Sequence, residues 1–342
     1  MRRMSMLRAV IAAAAALLAT ASHSQAEEVN VYSYRQEHLI RPLIAAFESE
    51  TGIRVNLVSG EADPLLERLK SEGVNSPADV LLTTDVGRMI RAKDAGVLRP
   101  TRSSALERDV PPRYRDPEGH WYGLSVRARV IFYAKDRVKP EELSSYAALA
   151  EPKWRGRICV RSSSHVYNQS LLAAMIAHEG AVKAEDWARA IVANMARPPQ
   201  GGDRDQIKAV AAGACDIAIA NTYYYGGMLQ SEKADEREAA AKVALFWPDQ
   251  AGHGAHVNIT GAAVTRSAKH AANAIKLIEF LASETAQKIY ADSIHEFPVR
   301  TDVPADALLE SWGKFKADGL ELAAIAFHQA ESVRIFDRAG WR

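Results

Sequence analysis

Val29-Asn30-Val31-Tyr32-Ser33 begins a run of alternating strand and helix patterns that reaches Thr83. Its period of two gives a short strand. Leu39, Ile40, Leu43, Ile44 and Phe47 then recur at helical spacing, and Gly52 closes that helix. Ile53 to Val58 alternates again, Leu65, Leu66 and Leu69 mark a second helix ending near Gly73, and Ala78-Asp79-Val80-Leu81-Leu82-Thr83 is a third, mostly apolar strand. A β-α-β-α-β opening predicts a parallel sheet with right-handed crossovers, the apolar third strand lying centrally.

Outward from that unit the theme repeats. Trp121 to Ser125 and Ala128 to Ala134 read as two strands, the second as a crossing between lobes. Ile158-Cys159-Val160 leads through Ser162-Ser163-Ser164, expected to cap a helix that carries Leu171, Leu172, Met175 and Ile176. A helix around Gln206 to Ala212 precedes the apolar strand Ile217 to Ala220. His256-Val257-Asn258-Ile259 and Ala262-Ala263-Val264 read as a return to the first unit. The predicted fold class is α/β, with two lobes joined by crossing strands and a ligand cleft between them. The lobes are expected to comprise residues 27–128 with about 256–302, and 129–255 with about 303–342.

Residues 1–26 read as a secretory signal peptide. Arg2, Arg3 and Arg8 precede an apolar core from Ala9 to Ala19, and Ser24 and Ala26 are small residues at the processing positions, so cleavage is expected before Glu27. Removing three arginines and no acids takes the formal charge from +1 to −2, and a near-neutral chain argues against a nucleic-acid partner. The two cysteines, Cys159 and Cys215, sit in short apolar segments of an exported chain. They invite one disulfide, with two buried free thiols as the alternative.

The chemistry concentrates at Tyr223-Tyr224-Tyr225, which follows the apolar run and precedes Gly226-Gly227. A strand ending in tyrosines and turning at glycines would present phenol oxygens where ligands collect. Phenolate is a hard anionic donor suited to ferric iron, whereas on the triplet alone simple packing is the plainer reading. His253 and His256 are expected to be loop and strand-start residues. No Gly-x-Ser-x-Gly, His-Glu-x-x-His or Gly-x-x-x-x-Gly-Lys occurs, so nothing argues for an enzyme.

Taken together, several segments resemble the periplasmic ferric-iron-binding proteins that feed bacterial ABC transporters, over nearly all of the chain beyond residue 26. The resemblance is carried by Val31 to Gln36, Ser76 to Thr83, Gly123 to Val130, Arg161 to Asn168, Ala220 to Tyr225, His256 to Gly261, and Glu296 to Val299. It implies the bilobed periplasmic-binding-protein fold of class II type, location in the periplasm, an inner-membrane ABC permease as partner, and a monomer. It also implies Fe3+ as the transported ligand, bound by Tyr223 and Tyr224 with Tyr167 completing a three-tyrosine set, while Tyr225 is structural.

Many members carry a histidine where this chain has Gln36. The three-tyrosine subclass instead adds a synergistic carbonate or bicarbonate, and Arg35, Gln36 and Arg127 suit that role because a guanidinium fork matches a planar oxyanion. Glu37 or His38 as a fourth protein ligand is the lesser alternative. Another subclass's glutamate falls at Thr84, and the neighbouring Asp85 is a poor substitute. Two rivals stay open: the same fold holding a small organic anion, sugar phosphate, thiamine or polyamine, and an exported iron enzyme.

Overall fold

The computed structural model describes residues 27–342, so the expected signal peptide at 1–26 lies outside the described residues. The opening unit forms β1 (Glu28–Ser33), α1 (Glu37–Thr51), β2 (Arg54–Ser59), α2 (Ala62–Glu72), β3 (Val80–Thr84) and α3 (Val86–Asp94). Strand β1 pairs in parallel with both β2 and β3. The stripe Ile40, Leu43, Ile44 and Phe47 of α1 is buried, and Gly52 adopts the left-handed conformation that ends the helix.

After a short α4 (Ser104–Asp109) comes β4 (Tyr122–Ala134), then β5 (Ile158–Cys159), α5 (Val166–Glu179), α6 (Ala181–Asn194), α7 (Asp203–Ala211) and β6 (Ile217–Asn221). There follow α8 (Thr222–Leu229), α9 (Ala234–Ala241), β7 (Val243–Phe246) and β8 (Val257–Val264). The chain closes with α10 (Ala271–Ala282), α11 (Glu284–Ile289), β9 (Phe297–Pro298), α12 (Ala307–Ser311) and α13 (Leu322–Ala339).

The two strands expected between Trp121 and Ala134 are one. Nothing interrupts them, because Val126 and Arg127 continue the antiparallel ladder opposite Ile259 and Asn258 of β8. Up to Ala128, β4 pairs with β8; from Arg129 onward it pairs with β6 and β7. This long strand joins two sheets in the order β2-β1-β3-β8-β4-β6-β5. Two α/β lobes are built on it. One apolar core gathers β1, β3, α1 and α10 through Val31, Phe47, Val80 and Leu277. Another gathers α5, α6 and β6 through Leu172, Trp187 and Ile219, with Phe336 from α13. Helix α13 packs on α5 and α6 and also against α3, so it touches both halves of the molecule.

Cys159 and Cys215 form the disulfide, the free-thiol alternative being excluded. Cys159 pairs opposite Ala218, and Cys215 lies just ahead of β6, so the bridge ties β5 to the approach of its neighbour. Among the described residues no helix is long and apolar enough to cross a membrane.

Candidate functional site

Tyr167 stands in the first turn of α5. The cap there is His165, whose Nδ1 accepts from the Tyr167 amide at 3.3 Å, and not one of the serines expected from the sequence. The serines fold into a turn just ahead of it, with Ser164 N donating to Ser162 Oγ at 3.1 Å. Asn168 fixes the entry to the helix by donating to the carbonyls of Arg161 and Ser162 at 2.9 and 3.1 Å.

The tyrosine triplet departs from expectation. Strand β6 ends at Asn221, and the tyrosines occupy the first turn of α8 rather than the end of a strand. Gly226 and Gly227 lie inside that helix and make no turn. Gly226 is needed for close approach, since a Cβ there would meet His295 Cβ at 2.7 Å. Helical rotation then sends the three rings different ways. The Tyr223 hydroxyl lies 3.2 Å from that of Tyr167, and the Tyr223 and Tyr224 ring centroids are 4.1 Å apart. Tyr225 turns into the core, packs on Phe132 and donates to Val243 O at 2.9 Å.

Two buried arginines flank this cluster. Arg127 donates through Nη1 to the Tyr167 hydroxyl at 2.9 Å and through Nη2 to Ile259 O at 2.9 Å. Arg35 donates through Nη1 to Glu296 Oε1 at 2.7 Å, and both guanidinium carbons lie about 6 Å from the Tyr223 ring centroid. Glu296 is fully buried, and its other oxygen accepts from Ser125 and, at 2.9 Å, from Thr260. Nε and Nη2 of Arg35 and Nε of Arg127 are buried without a partner. Buried guanidinium N–H groups left unpaired are costly, and their fork geometry fits a planar oxyanion.

The electrostatics separate the phenols. Burial resists ionising Tyr167, but the Arg127 charge and the hydrogen bond with Tyr223 outweigh it and hold its pKa below the ordinary tyrosine value. Burial pushes Tyr223 well above that value, and the charge of a Tyr167 phenolate adds to the rise. Tyr224 is raised by the same two causes. The cluster therefore has one phenol favoured to ionise and two favoured to keep their protons.

Behind the rings, Arg129 ties together the elements that carry them. It donates to Asn168 Oδ1 on α5 at 2.6 Å, to Asn221 Oδ1 at the end of β6 at 3.0 Å, and to Asp203 Oδ2 at the start of α7 at 3.1 Å. Asp203 also accepts from Arg161 at 3.1 Å and from the Asn221 amide at 2.8 Å.

The residues beside Arg35 divide. Gln36 and His38 are exposed and line a cavity of about 240 Å3 together with Arg204, Tyr223, Tyr224 and His295. Glu37 is absent from that lining and pairs with Arg41 on the surface of α1. Asp85 caps α3 through Gly87 N at 2.9 Å and accepts from Ser170 at 2.6 Å and Asn258 at 2.8 Å, a tie between elements.

Sequence reasoning missed Glu296, Arg129 and Asp203 as members of this assembly. The first two stood inside quoted motifs, and a buried charge requiring a partner was the signal available for Glu296. Asp203 carried no signal, because its arginine partners lie 42 and 74 residues away in the chain.

The family of bacterial extracellular solute-binding proteins matches residues 75–321. The chain is 47% identical over 316 residues to iron uptake protein A1 of Synechocystis sp., covering 92% of this chain and 88% of that protein. A Trichodesmium IdiA (FutA) structure in complex with iron and citrate is 46% identical, superposes with a TM-score of 0.88, and is matched over 92% of this chain and all of its own. A ferric binding protein from Campylobacter jejuni is 38% identical with a TM-score of 0.89 over the same shares.

Proposed function

The chain belongs to the bacterial extracellular solute-binding protein family, and from that premise we propose that it is a periplasmic receptor for ferric iron. Tyr167, Tyr223 and Tyr224 bind the ion, a carbonate held by Arg35 fills remaining positions, and an inner-membrane ABC permease receives the iron. The observation that carries this reading is the meeting of Tyr167 and Tyr223 hydroxyls 3.2 Å apart beside Arg127, with the Tyr224 ring against that of Tyr223. Three phenolates neutralise a 3+ ion, and the ion drives their deprotonation. The unpartnered Nε and Nη2 of Arg35 support an oxyanion beside the metal. Arg127, by contrast, already spends two donors on Tyr167 and Ile259, so its part is to favour the Tyr167 phenolate.

In this reading the lobes are 27–128 with about 256–302, and 129–255 with about 303–342. They close about the crossing of β4 and β8, with Tyr167, Tyr223 and Tyr224 in the second and Arg35 and Arg127 in the first. His38, lining the cavity next to Tyr223 and Tyr224, is better placed than Glu37 to reach an incoming iron chelate.

Competition with citrate tests the assignment. Tyr223→Phe and Tyr224→Phe should each weaken ferric iron by more than about a hundredfold, since even residues that only orient a ligand are worth ~10–100-fold. Tyr225→Phe should cost about 1 kcal/mol of stability through the lost bond to Val243 and leave iron affinity alone. Unchanged affinity in both of the first two variants sinks the site.

A further inference from the structure

Helices α5 and α6 wall a cavity of about 570 Å3 that shares no lining residue with the tyrosine cluster. That volume falls in the range of small-molecule sites, roughly 300–1,000 Å3. Its walls are apolar: Leu171 and Met175 from α5, Trp187 from α6, and Tyr146 across from them.

Besides the Tyr146 phenol, the ionisable groups in its lining are four carboxylates (Glu179, Asp186, Asp249 and Asp318), one lysine and three histidines. Asp318 accepts from His178 Nε2 at 2.9 Å and from Leu320 N at 2.9 Å. Asp249 accepts from Tyr146 N at 3.2 Å and, among the described residues, forms no salt bridge with a lysine or arginine. Lys183 is the sole fixed cation among the lining residues, and Glu179 already pairs with it at 2.9 Å. Flat surfaces are supplied by Trp187 and by the His178 and His253 rings, stacked 3.8 Å apart. Burial raises the Asp249 carboxyl above its ordinary value, a cost that a cation seated beside it would offset.

We propose that this cavity is a second small-molecule site, for an organic cation with a flat apolar body. The amine would face Asp249 and Asp318, and the body would lie between Trp187, Met175 and Leu171. The site abuts the crossing of β4 and β8. Tyr146, one of its walls, accepts from His256 N at 3.0 Å and donates to Arg129 O, which brackets the point where the two strands meet.

Calorimetric titration with tryptamine, indole and indole-3-acetate tests this, using the mature protein both iron-loaded and metal-stripped. Tryptamine should bind, and indole-3-acetate, with the same ring and the opposite charge, should bind at least about tenfold more weakly, because hydrogen bonds between charged groups are the strong ones. Asp249→Asn should weaken tryptamine by about tenfold or more and leave the iron titration unchanged. Asparagine tolerates the left-handed backbone at this position (φ +57°) and still accepts from Tyr146 N, so only the charge is lost. Ala190→Trp, at a half-buried lining position of α6, should fill the cavity and abolish binding. Equal uptake of all three probes, binding indifferent to both variants, or no tryptamine binding at millimolar concentration would overturn the proposal.

Discussion

His256 shows how single buried groups set the behaviour of this protein. It is 3% exposed at the entry to β8, and burial pulls its pKa down to about 4. Asp318 opposes that fall, while Arg129, His178 and Arg127 reinforce it. Its folded pKa lies below the unfolded value near 6.5, so the unfolded chain binds the extra proton between those limits. Stability from this group is therefore whole above about pH 6.5 and is lost as the pH falls towards 4. The loss amounts to roughly 3 kcal/mol. Urea denaturation at pH 7 and pH 4.5 should show the loss, and His256→Gln should remove most of it. A variant with the wild-type pH slope would count against this account.

At the scale of elements, the tyrosine-bearing helix α8 and its two glycines carry the sharpest expectation. Ala at 226 would drive its Cβ into His295, itself held in the left-handed region at φ +60°, so the clash falls near backbone with little room to yield. Overpacking costs about 1–3 kcal/mol, offset by about 1 kcal/mol from helix propensity. Gly226→Ala should thus lower stability and, by shifting α8 against α5, weaken iron as well. Ala at 227 would meet only the tip of Arg204 at 3.2 Å, so Gly227→Ala should be neutral or mildly stabilising. Thermal melts and citrate competition on the pair separate the two cases; equal behaviour would refute the packing explanation.

The same elements show where sequence legibility stops. The alternating strands and helices of residues 29–83 are readable because the two helices each bury one apolar stripe and the apolar β3 is buried along its whole length. The strand through Tyr122–Ala134 reads as two in the sequence, since its partners change midway and only tertiary pairing reveals its continuity. The triplet was assigned to a strand end because β6 is apolar right up to Ala220. What makes it helical is the start of α8 at Thr222 and the room for Gly226 against His295, and neither is local information. The cysteine pairing was foreseeable from two apolar segments, and the partner of Arg35, 261 residues away, was not.

At the scale of the whole molecule, two α/β lobes share the long strand β4, and the phenol cluster lies beside it. Tyr223 and Tyr224 are held protonated by burial, so each iron bound should release about two protons or more, and affinity should fall as the pH falls. Titrations in buffers of different ionisation enthalpy measure that release, and binding without proton release would contradict it. The most direct test is the visible absorption of the metal-stripped mature protein titrated with ferric citrate, with and without bicarbonate. The account predicts a broad phenolate-to-iron charge-transfer band that saturates at about one iron per chain, is lost in Tyr223→Phe and strengthens with bicarbonate. A folded protein that develops no band, or a band indifferent to Tyr223 and Tyr224, would contradict tyrosinate binding of ferric iron.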